Sequence, residues 1–176
     1  MLVRVLFLQI VEVINMQVGI ISDTHVPDRA RKLPEWLFKE LEGSELILHA
    51  GDVTSVETFN QLEKIAPVKA VQGNCDSYKI SDLPVSRELT LAGTKIAMTH
   101  SHKVRGETIN GLQYMFPDAD LIIFGHTHDA YHEKFDGQDI INPGSPTSRK
   151  RMEYYSAVVA EIDNGIKDIR FIKKYQ

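Results

Sequence analysis

Residues 18–25 read Val-Gly-Ile-Ile-Ser-Asp-Thr-His. The run from Val18 to Ile21 is continuously apolar and is closed by Ser22-Asp23-Thr24-His25. A short apolar run that stops at polar residues predicts a buried strand. Outward from it, Leu33 to Leu41 predicts a helix. Pro34 stands just inside its start, Gly43 just past its end, and Leu33, Leu37 and Leu41 share one face. Leu46 to Leu48 then predicts a second strand, Val56 to Ile65 a helix closed by Pro67, and Val68 to Val71 a third strand. This alternation is the pattern of βαβ units.

The second half changes character. Arg87–Leu91 and Lys95–Thr99 flank Ala92-Gly93-Thr94 as a hairpin. Thr108–Met115 predicts a helix stopped by Pro117, and Leu121–Phe124 another buried strand. Two hairpins follow, one turning at Asp136-Gly137 and one at Asn164-Gly165. No linker, low-complexity tract or repeat divides the chain, so residues 16–176 read as one α/β domain. Residues 1–15 stand apart. They are apolar but interrupted by Arg4, Gln9 and Glu12, and too short for the ~20 residues of a membrane span. They read as an N-terminal extension: an extra strand, or a mis-assigned start ahead of Met16.

Composition narrows the function. A chain of 176 residues can bury roughly 70% of its unfolded surface, so it folds without disulfides or structural metal. One Cys excludes a disulfide framework and a Cys-rich zinc site, and makes a reduced, cytoplasmic setting the default. A net charge of -4 argues against bulk nucleic-acid binding. Seven His against one Cys is the unusual count.

The polar residues fall at strand ends: Ser22-Asp23-Thr24-His25, His49-Ala50-Gly51-Asp52, Gly73-Asn74-Cys75-Asp76, Thr99-His100-Ser101-His102 and Gly125-His126-Thr127-His128. Taken singly, each is an ordinary strand terminus. Together they point to one site, because ligands of open α/β sheets bind beyond the carboxyl ends of strands. On an extended segment, residues i and i+2 point the same way, which pairs Asp23 with His25 and His126 with His128. Asp52, Asn74 and His126 each follow a Gly, which permits tight turns and close approach to an ion or phosphate. Imidazole nitrogen with carboxylate and amide oxygen suits Mn, Fe, Zn, Ni or Co. Seven such groups exceed one tetrahedral ion, and two ions sharing a carboxylate fit the count.

SDTH at 22–25, HAGD at 49–52, GNCD at 73–76, THSH at 99–102, GHTH at 125–128 and NPGS at 142–145 resemble the calcineurin-like metallophosphoesterase superfamily. Their order and spacing are similar to its small bacterial and archaeal phosphodiesterase branch, the YfcE family. The resemblance implies a sandwich of two mixed β-sheets flanked by helices. It implies one ion on Asp23, His25, Asp52 and His128, and another on Asp52, Asn74, His100 and His126, with Asp52 bridging. The implied cofactor is two divalent ions, Mn first, with Ni, Fe, Zn, Mg or Co as alternatives. The implied reaction is hydrolysis of small phosphodiesters by a hydroxide that these ions activate. Many superfamily members carry His where Cys75 stands here, which leaves the general acid open.

Other residues are assigned around that set. His102 is expected to contact the phosphate, or to support His100, from which spacing alone does not separate it. His49 is expected to orient a ligand, and Asp76 to accept a hydrogen bond from a ligand or from the attacking water. The basic turn Arg149-Lys150-Arg151 and the residues Arg29, Arg31 and Lys32 read either as solvated surface or as phosphate steering. The expected partner is a small phosphodiester, with no membrane and with a homo-oligomer left open. The alternatives are a protein-binding scaffold of the kind seen in the retromer subunit that shares this fold, and a phosphomonoesterase.

Overall fold

The computed structural model describes residues 15–76, 82–104 and 108–175. The extension assigned to 1–15 lies, apart from Asn15, outside the described residues.

Each element expected between residues 16 and 176 forms. The first half runs β1 (Met16–Ile21), α1 (Glu35–Leu41), β2 (Leu46–His49), α2 (Val56–Glu63) and β3 (Val68–Ala70). The second runs β4 (Ser86–Leu91), β5 (Thr94–Thr99), α3 (Thr108–Met115), β6 (Leu121–Phe124), β7 (Tyr131–Phe135), β8 (Gln138–Asn142), β9 (Tyr154–Ile162) and β10 (Ile166–Tyr175). Helix α1 starts later than its apolar pattern suggests, because extended Pro34 (ψ 144) is its N-cap rather than its first helical residue. Helix α2 has a side-chain cap, with Ser55 Oγ accepting from Thr58 N.

The strands form two mixed five-stranded sheets, ordered β10-β9-β1-β2-β3 and β4-β5-β6-β8-β7. In the first, β1, β2 and β3 are parallel, and the last hairpin closes back on β1 antiparallel, Gly19 opposite Val159. In the second, β5, β6 and β8 are parallel, with β4 and β7 antiparallel at the edges.

Side-chain alternation divides the core into three layers. Val18, Ile20, Leu46 and Leu48 meet Ile96, Met98, Leu121 and Ile123 between the sheets. On the outer face of the first sheet, Ile21 and Ile47 pack with Leu37, Leu41 and Leu62 of α1 and α2. Gly19 sits under α1, where a Cβ would come within 2.8 Å of Leu41 Cδ2. Ala97, Ile122 and Ile140 pack with Leu112 and Phe116 on the other side. The runs at β1, β2 and β6 are continuously apolar because both faces of those strands are covered. The chain therefore becomes polar only where these strands leave the sandwich.

Candidate metal centre

The five polar clusters follow the carboxyl ends of β1, β2, β3, β5 and β6. The first two loops are tied together: Asp23 N donates to Gly51 O at 2.9 Å and His25 N to Asp52 O at 3.1 Å. Both loops, and the loop after β6, are unusually bent. Asp23 (φ 55), His25 (φ 44), Asp52 (φ 58), His126 (φ 75) and His128 (φ 66) are all left-handed. The extended geometry expected for Asp-x-His and His-x-His therefore does not hold. Such conformations cost on the order of 1–3 kcal/mol each and persist where surrounding contacts impose them.

The glycines show what imposes them. A Cβ on Gly73 would lie 2.0 Å from Asp52 Oδ1 and 2.3 Å from Asp52 N. One on Gly125 would lie 2.1 Å from Ser22 Oγ and 2.7 Å from Ala50 O. These positions serve the close packing of the loops against one another.

Five of the seven expected ligands converge. Asp23 is fully buried; its Oδ2 accepts from Ser22 Oγ at 2.6 Å and from His126 N at 2.9 Å. That leaves Oδ1 3.1 Å from His128 Nε2, 3.7 Å from His25 Nε2 and 4.0 Å from His100 Nε2. Asp52 repeats the arrangement. Its Oδ1 accepts from Cys75 N at 2.8 Å, while Oδ2 lies 3.4 Å from His25 Nε2 and 3.3 Å from His100 Nε2. Each carboxylate thus has one oxygen fixed by the protein and one turned inward.

The imidazoles are oriented in the same way. His100 Nδ1 lies 2.7 Å from Ala50 O, and His128 Nδ1 2.8 Å from Ser148 O. A carbonyl only accepts, so both rings carry their proton on Nδ1 and aim Nε2 at the carboxylates. This is the tautomer that ligates metal through Nε2. The nitrogens of His25 and His128 approach to 3.3 Å.

Electrostatics follow from this crowding. Burial pushes Asp23 up, but the imidazoles of His128, His25 and His100 outweigh it and hold the carboxyl well below its ordinary range. For Asp52 burial is again overridden, by His100 and by Cys75 N–H, which leaves it at about 2. Burial pulls His100 down, while Asp52 and Asp23 carry it above its usual value. Cys75 is exposed and free, and burial together with the Asp52 carboxylate pushes its thiol up to about 11.

Two buried polar atoms of this cluster, Asp23 Oδ1 and His100 Nε2, have no hydrogen-bond partner among the described residues. Unpaired buried polar atoms are costly, and here both face anionic oxygen or imidazole nitrogen. Asp23, His25 and His128 form one group with ligand atoms within 4.8 Å of one another, and Asp23, Asp52 and His100 form another. The residues fit divalent ions in donor type and in orientation.

Asn74 and His126 lie at the edge. Both are exposed; Asn74 Nδ2 donates to Cys75 Sγ at 3.2 Å, and the His126 ring sits 5.3 Å from that of His100. His102, 5.4 Å from the His100 ring, keeps a buried, unpartnered Nδ1. His132 lies apart on β7, bonded to Asp139 at 2.8 Å.

Asp76 accepts from a ligand residue, as expected, but from its backbone N–H rather than its side chain. Its oxygens accept from the backbone N–H groups of Gly73 (2.6 Å), Thr54 (2.9 Å) and Asp52 (3.2 Å), tying the third loop to the second. Asp76→Ala leaves those donors unpaired and is expected to cost about 3 kcal/mol, read as a lower urea midpoint.

His49 is fully buried, with Nδ1 accepting from Gly51 N and Nε2 on Thr24 Oγ1. Burial, partly offset by Asp76 and Asp23, pushes its pKa down to about 4. A folded pKa below the unfolded value of about 6.5 means the unfolded chain takes up the proton first as pH falls. This contribution is full above pH 6.5 and shrinks toward pH 4, by about 2 kcal/mol at pH 5. Denaturation of wild type and His49→Gln at pH 7 and pH 5 measures it; the variant should lose less on acidification.

One loop supports the site from behind and left little mark in the sequence beyond Asn142-Pro143-Gly144-Ser145. Ser145 Oγ donates to Asp23 O at 2.8 Å, Thr147 Oγ1 to Thr24 O at 2.6 Å, and Ser148 O orients His128. The signal available was the run of small hydroxyl residues after that block.

Residues 16–165 match the family model of the calcineurin-like phosphoesterase superfamily domain. The chain is 39% identical over 161 residues to a probable metallophosphoesterase of Methanothermobacter thermautotrophicus, covering 90% of this chain and 92% of the relative. It is 34% identical over 139 residues to vacuolar protein sorting-associated protein 29 of Schizosaccharomyces pombe, covering 75% and 73%. Among solved structures, one described as a novel archaeal phosphodiesterase superposes with a TM-score of 0.70 at 23% identity, covering 90% of this chain and 99% of that one. The fold and the motifs thus define a metallophosphoesterase. The chain belongs to the calcineurin-like phosphoesterase superfamily.

Proposed function

We propose that the protein is a phosphodiesterase working with two divalent ions, Mn foremost. Asp23, His25, Asp52 and His128 would hold one, and Asp52, Asn74, His100 and His126 the other. The observation that carries this reading is the inward orientation of Asp23 Oδ1 and His100 Nε2, buried and without partners among the described residues. Bound divalent ions supply Lewis acidity, which makes water a stronger nucleophile at neutral pH and offsets charge on phosphoryl oxygens.

The chain's own residues prepare the site. Asp52 shares Oδ2 between the two imidazole groups because Cys75 N holds its other oxygen. Ala50 O and Ser148 O fix the two ligating tautomers, so the rings need no reorganisation. His102 stands beside His100, its ring 5.4 Å from that of His100, and would contact the phosphoryl group or support His100. Cys75 offers only an exposed thiol, a weak hydrogen-bond donor, where many superfamily members carry His, and so is a poor proton donor to a departing alkoxide. Esters of acidic alcohols should therefore react best. The lone free cysteine accords with work in the cytoplasm, and among the described residues no helix is long and apolar enough to cross a membrane.

The test is chelator-stripped protein given Mn, Ni, Mg or Zn separately, with one aryl phosphodiester and one aryl phosphomonoester. Metal-restored turnover, with the diester favoured in kcat/KM, supports the reading. Preference for the monoester makes it a phosphatase. The Schizosaccharomyces relative's name keeps a protein-sorting role in view; the scaffold is the outcome if ions bind and neither ester turns over.

A further inference from the structure

The basic turn after Ser148 does not act as one patch. Arg149 lies over the Tyr155 ring, 5.1 Å from its centroid, and reaches Glu153 O at 3.5 Å. Lys150 turns the other way, through a left-handed backbone (φ 48), and its Nζ donates to His126 O at 3.0 Å. His126 belongs to the loop whose N–H holds Asp23 and which carries His128. Lys150 thus sits on the rim of the candidate centre. It extends from the same loop whose Ser145, Thr147 and Ser148 brace the Asp23, Thr24 and His128 positions.

Its charge is otherwise unanswered. No carboxylate among the described residues pairs with Lys150; most described lysines share that, and what sets Lys150 apart is its bond to the His126 carbonyl at the rim. An ammonium has three donors, and the His126 carbonyl takes one. A neutral carbonyl is a weaker acceptor than an anion, so two donors and the full charge remain for a ligand at the mouth. Two divalent ions with the two buried carboxylates would already leave the centre positive toward the scissile phosphate, so Lys150 is not needed there. A further fixed cation matches a further negative charge.

We propose that Lys150 is a specificity-determining residue that binds an anionic group carried by the substrate outside the scissile phosphate, so that the site favours phosphodiesters with a second negative charge. This rests on the phosphodiesterase reading of the same site and refines its substrate class.

The experiment measures binding to Mn-loaded full-length protein by calorimetry. The probes are three methylphosphonate monoesters of unactivated alcohols, 2-trimethylammonioethyl, ethyl and 2-carboxyethyl, each shown by phosphorus NMR to stay intact through the titration. The phosphonate is constant, and only the remote charge changes. Wild type should bind the carboxyethyl ester about tenfold more tightly than the ethyl ester, with the cationic ester weakest. Lys150→Gln should collapse the order, Lys150→Glu should invert it, and Lys150→Arg should retain it. The same order in Lys150→Gln as in wild type overturns the proposal. So does a Lys150→Gln protein that binds fewer ions than wild type, since Lys150 would then serve the His126 loop. Hydrolysis of an aryl phosphodiester is measured separately. If it is absent while the charge order appears in wild type and vanishes in Lys150→Gln, the anion site stands and the hydrolase reading falls.

Discussion

Asp52→Asn is expected to lower kcat/KM toward an aryl phosphodiester by at least about 10²-fold, with loss of bound metal. Asp52 is the residue on which the arrangement turns. One of its oxygens is held by Cys75 N, and the other lies between His25 and His100. An amide nearly preserves volume, so the loops should keep their contacts, but it removes the charge and offers one weakly basic oxygen. The depressed pKa of Asp52 means its charge is favoured in the folded apo protein, so the variant should keep the fold but lose some stability at neutral pH. Far-UV circular dichroism, urea denaturation and elemental analysis of the stripped and reloaded variant separate these effects. Unchanged structure with lost metal and lost turnover is the expected combination.

Gly73→Ala is expected to damage both stability and the site without altering any ligand. Its Cβ would fall 2.0 Å from Asp52 Oδ1 and 2.3 Å from Asp52 N, and the second contact is with backbone that cannot rotate away. The third loop must move, which breaks the Gly73 N–Asp76 and Cys75 N–Asp52 bonds. A cost of about 3 kcal/mol follows from overpacking and lost hydrogen bonds. For a chain of this size that is a fall of roughly 6–12 °C in Tm. Gly137→Ala is the control. Unlike Gly73 it has positive φ (84), but nothing lies within 4 Å of the added Cβ. It should cost only the left-handed penalty, about 1 kcal/mol. Thermal denaturation and metal affinity of the two variants side by side test the distinction.

Much of this molecule was legible in its sequence, for identifiable reasons. Strands buried on both faces read as unbroken apolar runs, so Val18–Ile21, Leu46–Leu48 and Leu121–Phe124 were found almost to the residue. Asp-Gly and Asn-Gly located two hairpin turns because few residue pairs adopt that backbone. Long-range pairing was not legible. Nothing local tells the last hairpin to join β1, or β6 to pair with β8 past β7, since non-local register is chosen by the packed core. Helix α1 was overestimated at its start because apolar spacing continues through Leu33 while the backbone at Pro34 is extended.

The site divides in a similar way. Ligand types and their strand-end positions could be read directly. The manner of convergence could not, because Asp23, His25, Asp52, His126 and His128 leave the extended geometry that sequence spacing assumes. The roles of Asp76, Ser145, Thr147 and Ser148 depend on backbone atoms from other loops. A sequence shows those residues but not the carbonyls and N–H groups they meet.

The central claim is that the inward-facing carboxylates and imidazoles form a centre for two ions that serve phosphodiester hydrolysis. Titrating stripped protein with Mn, while counting bound ions by calorimetry and following an aryl phosphodiester in the same samples, tests it most directly. The account predicts saturation at two ions per chain, with turnover rising as the second is taken up and absent from Asp52→Asn. Two ions bound without turnover, or full turnover in Asp52→Asn, would contradict it.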